Sequence, residues 1–89
     1  MKRLTQTGQF RKDVKRMQKR GKDFGEFKLV IGALVNGQEL PSRYRDHFLI
    51  GQYKGTRECH LAPDWLLIYE LSEDEITLIR MGTHADLFG

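Results

Sequence analysis

The spacing of apolar residues predicts a helical first part of the chain. A first helix is predicted from Thr7, which can cap its amino end, to Gly21, which ends it. A second helix is predicted from a capping box of Asp23 and Glu26 to the Asn36-Gly37 pair. Their apolar stripes recur at spacings of three and four residues: Phe10, Val14 and Met17 in the first helix, and Phe27, Val30, Ile31 and Leu34 in the second. Only a short turn separates the two helices, so they should form an antiparallel hairpin.

Beyond a polar loop at residues 38–46, the apolar pattern changes to the alternation that is typical of strands. Four strands are predicted: His47 to Tyr53, Thr56 to Leu61, Trp65 to Leu71 and Ile76 to Met81. Both alternating sets of the third strand are apolar, so it should lie at the centre of a sheet with both faces covered. Residues 2–7 are interpreted as an edge strand or a tail, and residues 83–89 as a short tail.

Short turns between the strands favour a mainly antiparallel sheet. The order of elements predicts one α+β domain over residues 1–89, with a two-helix hairpin packed on a small twisted sheet. The single cysteine excludes an internal disulfide and fits a reducing cytosol, and alternation places Cys59 opposite His60 as a buried apolar side chain. The longest apolar run, Leu29 to Val35, is too short to cross a membrane, and no signal peptide is apparent. We therefore expect a soluble cytoplasmic protein without membrane contact.

Charge is distributed unevenly along the chain. Residues 1–30 contain ten lysines and arginines against three acidic residues, whereas the remainder contains five against nine. On the first helix, six cations form two rows at spacings of four: Arg11, Lys15 and Lys19, and Lys12, Arg16 and Arg20. At about 100° per residue these rows occupy the arc opposite the apolar stripe. They predict either a surface that binds a polyanion such as RNA or a solvated face, and an acidic protein partner is also compatible.

The candidate chemistry lies at the predicted strand ends. All three histidines, His47, His60 and His84, fall there, with Asp64 across a proline turn from His60 and Arg80 ending the last strand. Two imidazoles can exchange protons near neutral pH, and a guanidinium can stabilise charge on a phosphoryl group. These groups meet the needs of RNA cleavage by the ribose 2′-hydroxyl, which requires neither metal nor protein nucleophile. A zinc site of His60, Asp64 and His84 is the alternative, which the proline turn makes less favourable.

Aromatic and cationic side chains near these positions are candidate RNA contacts. Trp65 and Phe88 could stack on unpaired bases, although Trp65 fits the protein core equally well. Lys54 and Arg57, on either side of a glycine turn, are added as cationic contacts. Tyr53 is assigned to the core.

Residues 40–89 contain a long series of motifs in fixed order: Leu40-Pro41, Tyr44-Arg45-Asp46-His47, Gly51-Gln52-Tyr53-Lys54-Gly55, Arg57-Glu58-Cys59-His60, Pro63-Asp64-Trp65, Arg80-Met81-Gly82-Thr83-His84 and Leu87-Phe88. The series resembles the YafQ branch of the RelE-like bacterial toxins, and the helical part matches more loosely. The resemblance implies a RelE-like microbial RNase fold and a metal-independent endoribonuclease, without a cofactor, that cuts mRNA in the ribosomal A site. It also implies a cognate antitoxin, with DNA bound only indirectly through the toxin–antitoxin complex.

The functional residues of that family match here at seven positions: His47, His60, Asp64, Trp65, Arg80, His84 and Phe88. On this basis we assign His84 as the general base and His47 or His60 as the general acid. Asp64 would orient a neighbouring imidazole, and the basic helix would dock onto ribosomal RNA. One departure is Phe48, where the family often has proline. A non-catalytic RNA-binding or ribosome-binding module is the alternative function.

Overall fold

One five-stranded sheet and three helices form the regular structure of the 89 residues, all of which the computed structural model describes. In chain order the elements are β1 (Arg3–Gln6), α1 (Gly8–Lys19), α2 (Gly25–Val35), β2 (His47–Phe48), β3 (Arg57–Ala62), β4 (Trp65–Leu71), β5 (Glu75–Gly82) and α3 (His84–Phe88). Single 3-10 turns, Ser42–Tyr44 and Gly51–Tyr53, lie on either side of β2. The predicted α+β fold, with two consecutive helices on a mainly antiparallel sheet, is confirmed.

The strands are ordered β1-β5-β4-β3-β2, and all neighbouring pairs are antiparallel except β1 with β5, which are parallel. β4 therefore lies at the centre, as its apolar composition predicted, and residues 65–69 are all buried. Residues 3–6 form an edge strand along the first half of β5. None of the three helices combines the length and the apolar character needed to cross a membrane.

The two faces of the sheet are covered differently. On one face, which we call the helix face, side chains of α1 and α2 pack with Cys59, Leu67 and Met81 in the main core. On the other, which we call the histidine face, a smaller cluster joins Leu66 and Ile68 to α3. The prediction that Cys59 is a buried core residue is confirmed, and burial raises the pKa of its thiol to about 12.

Local signals at the helix ends are met in part. Thr7 caps α1, because its hydroxyl oxygen accepts a hydrogen bond from the Phe10 N–H at 2.9 Å. Gly21 ends the helix in the left-handed conformation, with φ of 78°. The predicted capping box of Asp23 and Glu26 is wrong. Asp23 instead accepts a hydrogen bond from the Gly25 N–H, and α2 begins without a side-chain cap.

Two predicted elements differ from the structure. The strand predicted from His47 to Tyr53 contains only two paired residues, because Gly51 adopts a φ of 78° and a 3-10 turn follows. The predicted tail at residues 83–89 is the helix α3 instead. Its five residues carry a complete capping box, which the sequence pattern alone did not reveal.

Candidate active site

A row of imidazoles crosses the histidine face of the sheet. The ring centroids of His47 and His60 lie 6.4 Å apart, and those of His60 and His84 lie 5.9 Å apart. His47 comes from the edge strand β2, His60 from β3 and His84 from the first position of α3. The predicted convergence of the three histidines is therefore present, although they lie in a row rather than around one point.

Glu58 lies between two of these imidazoles. Its Oε1 is 3.2 Å from His60 Nε2 and 3.8 Å from His47 Nε2. The carboxyl group is almost fully buried, with the residue 5% exposed. The Glu58 carboxyl group therefore faces both imidazoles. Sequence reasoning missed Glu58, although its position two residues before His60 places it on the same face of the strand.

The other ring nitrogen of His47 is held by the protein backbone. His47 Nδ1 donates a hydrogen bond to the carbonyl oxygen of Arg45 at 2.6 Å. Arg45 adopts the left-handed conformation, with φ of 52°, and is the only non-glycine residue in the chain with a positive φ. This bond directs the opposite nitrogen, Nε2, towards Glu58.

Asp64 orients His84 through two hydrogen bonds to the same oxygen. The His84 N–H donates to Asp64 Oδ1 at 3.0 Å, and His84 Nδ1 donates to it at 2.6 Å. The backbone N–H and then the imidazole of His84 lower the pKa of Asp64. Because Nδ1 carries the proton of this bond, Nε2 of the neutral ring is free to accept another proton.

Arg80 reaches the histidine face because of a β-bulge. In the β4–β5 pairing, Ile68 pairs with Arg80 whereas Tyr69 pairs with Leu78, which leaves Ile79 as the extra residue. The bulge places Arg80 in the same cross-strand row as Ile68 and Glu58. Its Nη1 donates to the Tyr53 hydroxyl at 3.3 Å.

The rest of the Arg80 guanidinium is bound by Asp13 of α1. Arg80 Nε donates to Asp13 Oδ2 at 2.7 Å, and Nη2 donates to Oδ1 at 3.2 Å. The fully buried Asp13 also accepts hydrogen bonds from the Met81 N–H, Gln9 and Arg16. Burial raises the pKa of Asp13, but hydrogen bonds from Arg80, the Met81 N–H and Gln9 outweigh it and lower the pKa. Sequence reasoning missed Asp13, whose only signal is a lone acid among the cations of the helix.

Asp86 attaches α3 to α1. It forms a capping box with Thr83 and accepts two hydrogen bonds from Arg20, at 2.6 and 3.0 Å. The bonds from Arg20 are the main cause that lowers the pKa of Asp86. A Cβ at Gly82 would lie 2.9 Å from the Asp86 Cβ, so this approach of strand and helix requires glycine. The position of His84 therefore depends on the contact between α1 and α3.

The chain is similar to known proteins along almost its whole length. Residues 2–89 match the family model described as the bacterial toxin of type II toxin–antitoxin system, YafQ. The mRNA interferase toxin YafQ of Escherichia coli K12 is 48% identical over 84 residues, which cover 93% of this chain and 91% of that protein. This chain belongs to the YafQ family.

Two solved structures of YafQ support the same assignment. The crystal structure of YafQ from E. coli strain BL21(DE3) superposes with a TM-score of 0.94 at 43% identity. The crystal structure of the E. coli DinJ–YafQ complex gives a TM-score of 0.92 at 44% identity. Each match covers all of this chain and all of the other. The resemblance to the YafQ branch that the motifs indicated is confirmed.

Two of the aromatic and cationic residues predicted to contact RNA in this YafQ-family chain lie elsewhere. Trp65 is 3% exposed and packs edge to face against Phe24 at 5.1 Å, so it is a core residue without a face for a base. Arg57 lies on the helix face, where it donates two hydrogen bonds to Asp46, at 3.2 and 3.1 Å. Strand alternation separates it from His60, so it does not join the histidine row.

The remaining predicted RNA contacts are accessible. Phe88 is 47% exposed, with its ring centroid 6.4 Å from that of His84. Tyr53, assigned to the core, is partly buried and packs edge to face on Phe88 at 5.7 Å. Lys54 is exposed at the end of the 3-10 turn.

The two basic rows of α1 contain both ion-paired and unpaired cations. Arg16 and Arg20, two of the predicted RNA contacts, are ion-paired within the fold, with Asp13 and Asp86 respectively. The helix turns them towards β5 and α3, a direction that the spacing alone did not distinguish from solvent. The cations that stay exposed without an acidic partner are Arg11, Lys12, Lys15 and Lys19.

A shared metal site does not form from the residues that the zinc alternative required. His60 faces Glu58, whereas Asp64 is hydrogen-bonded to His84. No group of three histidine, cysteine, aspartate or glutamate side chains has an arrangement that could hold a metal ion. The zinc site proposed from His60, Asp64 and His84 is therefore not present in this arrangement.

Proposed function

We propose that this chain is the toxin of a type II toxin–antitoxin pair and acts as an mRNA interferase, an endoribonuclease that cleaves mRNA in the ribosomal A site. The observation that carries the proposal is the row of His47, His60 and His84 with two carboxylates beside it. Glu58 lies beside His60, and Asp64 is bonded to His84. The family assignment supplies the substrate class, and the cytoplasm is where ribosomes are found.

His84 acts as the general base. With Nδ1 bonded to Asp64, its Nε2 takes the proton of the ribose 2′-hydroxyl as O2′ attacks the adjacent phosphorus. The P–O5′ bond breaks, and the leaving O5′ receives a proton from His60 or His47. Glu58 Oε1 lies against that imidazole, 3.2 Å from His60 Nε2 and 3.8 Å from His47 Nε2. The products are a 2′,3′-cyclic phosphate and a 5′-hydroxyl.

Arg80 and Phe88 complete the substrate contacts. Arg80, fixed by Asp13, uses its Nη1 side to stabilise negative charge on the phosphoryl oxygens. Phe88 is exposed beside the general base and stacks on an unpaired base next to the scissile bond. Lys54, exposed at the end of the 3-10 turn Gly51–Tyr53, adds a cation.

The free cations of α1 bind the ribosome. Lys12, Lys15 and Lys19, together with Arg11, form an exposed surface that neutralises phosphates of ribosomal RNA. A cognate antitoxin binds and inhibits this toxin. The proposal of such a partner is supported by the structure of the E. coli DinJ–YafQ toxin–antitoxin complex. DNA is contacted only through that complex.

Primer extension on mRNA after brief induction tests the function. Expression of the wild type should arrest growth and produce cuts at fixed positions relative to the reading frame. His84→Ala should reduce cleavage by about 10²- to 10⁴-fold while its circular dichroism spectrum remains unchanged. A Glu70→Ala control, at an exposed position of β4, should cleave normally. Full cleavage by folded His84→Ala would contradict the proposed role, and ribosome binding without any cleavage by the wild type would favour the non-catalytic module.

A further inference from the structure

A groove opens beside His60 at the edge of the imidazole row. Its walls are the 3-10 turn before β2, the start of α2 and the turn after β3. Two arginines, Arg43 and Arg45, line it together with Glu26 and His60. Neither arginine has a part in the reaction described above. The groove therefore joins a pair of unassigned cations directly to a residue of the reaction centre.

The backbone of Arg45 links the groove to His47. Its left-handed conformation directs the carbonyl oxygen to His47 Nδ1, and the same residue lines the groove. A non-glycine residue rarely adopts this conformation, and such residues cluster at functional sites. One residue thus orients an imidazole and contributes a cation to the neighbouring groove.

The charges in the groove are only partly compensated. Arg43 stacks on the Tyr44 ring at 4.7 Å and lies 3.7 Å from Glu26. Glu26 also accepts a hydrogen bond from the Tyr44 hydroxyl. Arg45 is exposed and has no carboxylate within 4.0 Å. Two guanidinium groups face one carboxylate, so the groove keeps a net positive charge. The guanidinium without a carboxylate partner is that of Arg45.

We propose that this groove is a phosphate subsite that binds the RNA backbone one nucleotide away from the scissile phosphate. Guanidinium groups match phosphate geometry and bind it through paired N–H donors. Because His60 is shared with the reaction centre, a strand whose scissile phosphate lies at the imidazole row passes directly into the groove. The inference rests on the proposed function, since it assumes that RNA is the substrate.

The experiment combines charge removal in the protein with charge removal in the substrate. Short mRNAs carrying one neutral methylphosphonate at successive positions around the cut are programmed into ribosomes, and kcat/KM is measured. In the wild type, the methylphosphonate at one flanking position should reduce kcat/KM by about tenfold. In Arg45→Gln the same modification should have no further effect. The slope of log kcat/KM against log salt should also decrease by about 1.

Matched variants distinguish the subsite from general electrostatics. Lys28→Gln removes a cation from the exposed part of α2 and should respond to every methylphosphonate as the wild type does. Glu26→Gln removes the opposing charge from the groove and should lower KM. Arg43→Gln should act as Arg45→Gln does, to a smaller extent because Glu26 already binds it.

The outcome separates the subsite from the nuclease activity itself. If every methylphosphonate reduces kcat/KM by the same factor in Arg45→Gln as in the wild type, the subsite is refuted and the nuclease proposal stands. If an abasic substitution, rather than a methylphosphonate, loses its effect in Arg45→Gln, the groove binds a base and the phosphate subsite is refuted. If the wild type does not cleave these substrates, their binding to His84→Ala, measured by fluorescence anisotropy, tests the subsite independently of cleavage.

Discussion

Asp13 of α1 holds Arg80 of β5 through two hydrogen bonds, although the two residues are separated by 67 positions in the chain. The carboxylate is fully buried and also accepts the Met81 N–H, which has no strand partner because β1 pairs only with the first half of β5. A single side chain therefore completes the sheet edge and fixes the guanidinium on the histidine face.

Replacing Asp13 with alanine should both destabilise the protein and impair catalysis. Arg80 would keep its charge in a partly buried place without a carboxylate partner, and the Met81 N–H would lose its acceptor. We expect the free energy of unfolding to fall by about 3 kcal/mol, measured by urea denaturation. An Asp74→Ala control in the exposed turn before β5 should change it by less than about 0.5 kcal/mol. An equally small change for Asp13→Ala would show that the buried pair contributes little.

Glu58→Gln should reduce the rate of cleavage while leaving substrate binding nearly unchanged. The substitution keeps the size of the side chain and one acceptor oxygen beside His60, but it removes the carboxylate that lies 3.2 Å from His60 Nε2. We expect kcat at neutral pH to fall by about tenfold or more, with KM within about twofold. Glu70→Gln on β4 is the matched control. A KM effect without a kcat effect would assign Glu58 to RNA binding instead.

The stability of the fold should decrease at acid pH. The pKa values of Asp13 and Asp86 are lowered by their hydrogen bonds in the folded state. Such groups contribute stability that is fully present above the unfolded pKa of about 3.9 and is lost as the pH falls towards the folded pKa. Urea denaturation should therefore give a nearly constant free energy of unfolding from pH 7 to about pH 5 and a decrease below about pH 4. In Asp86→Asn the decrease should be shallower, and an unchanged pH profile in that variant would contradict this role of Asp86.

Ribosome binding should depend on the free cations of α1 and not on the paired ones. Changing Lys12, Lys15 and Lys19 together to glutamate should weaken co-sedimentation with ribosomes by at least about tenfold and reduce its salt dependence. Lys28→Glu on α2 is the single-site control. Arg20→Gln, which breaks a contact with Asp86, should lower thermal stability while binding stays within about twofold. Unchanged co-sedimentation of the triple variant would exclude α1 as the docking surface.

The sequence contained enough information for the architecture and for the imidazole row. Alternation and spacing predicted β3, β4 and β5, the central position of β4 and the burial of Cys59, because one buried face imposes a strict period on each element. The histidines could be grouped because all three fall at strand ends, and antiparallel pairing brings such ends together. Glu58 could have been added by the same alternation that places it on the face of His60.

The remaining errors have causes that local patterns do not reveal. The bulge at Ile79 decides which face Arg80 occupies, and its partner Asp13 is remote in the chain. Trp65 follows a turn and begins a strand, so only the packing of Phe24 shows that it is buried. Helical spacing located the cations of α1 but did not show which carboxylates bind two of them. Arg16 pairs with Asp13 three residues away in α1, and Arg20 pairs with Asp86 of α3, which is a tertiary contact.

The central claim is that these imidazoles catalyse attack of a ribose 2′-hydroxyl on the adjacent phosphate. It is tested most directly by the cleavage rate of ribosome-bound mRNA with a single 2′-deoxynucleotide immediately 5′ to the scissile bond. Cleavage at that bond should be abolished, while the unmodified mRNA should yield a 2′,3′-cyclic phosphate and a 5′-hydroxyl. Cleavage of the 2′-deoxy substrate at the unmodified rate would contradict it.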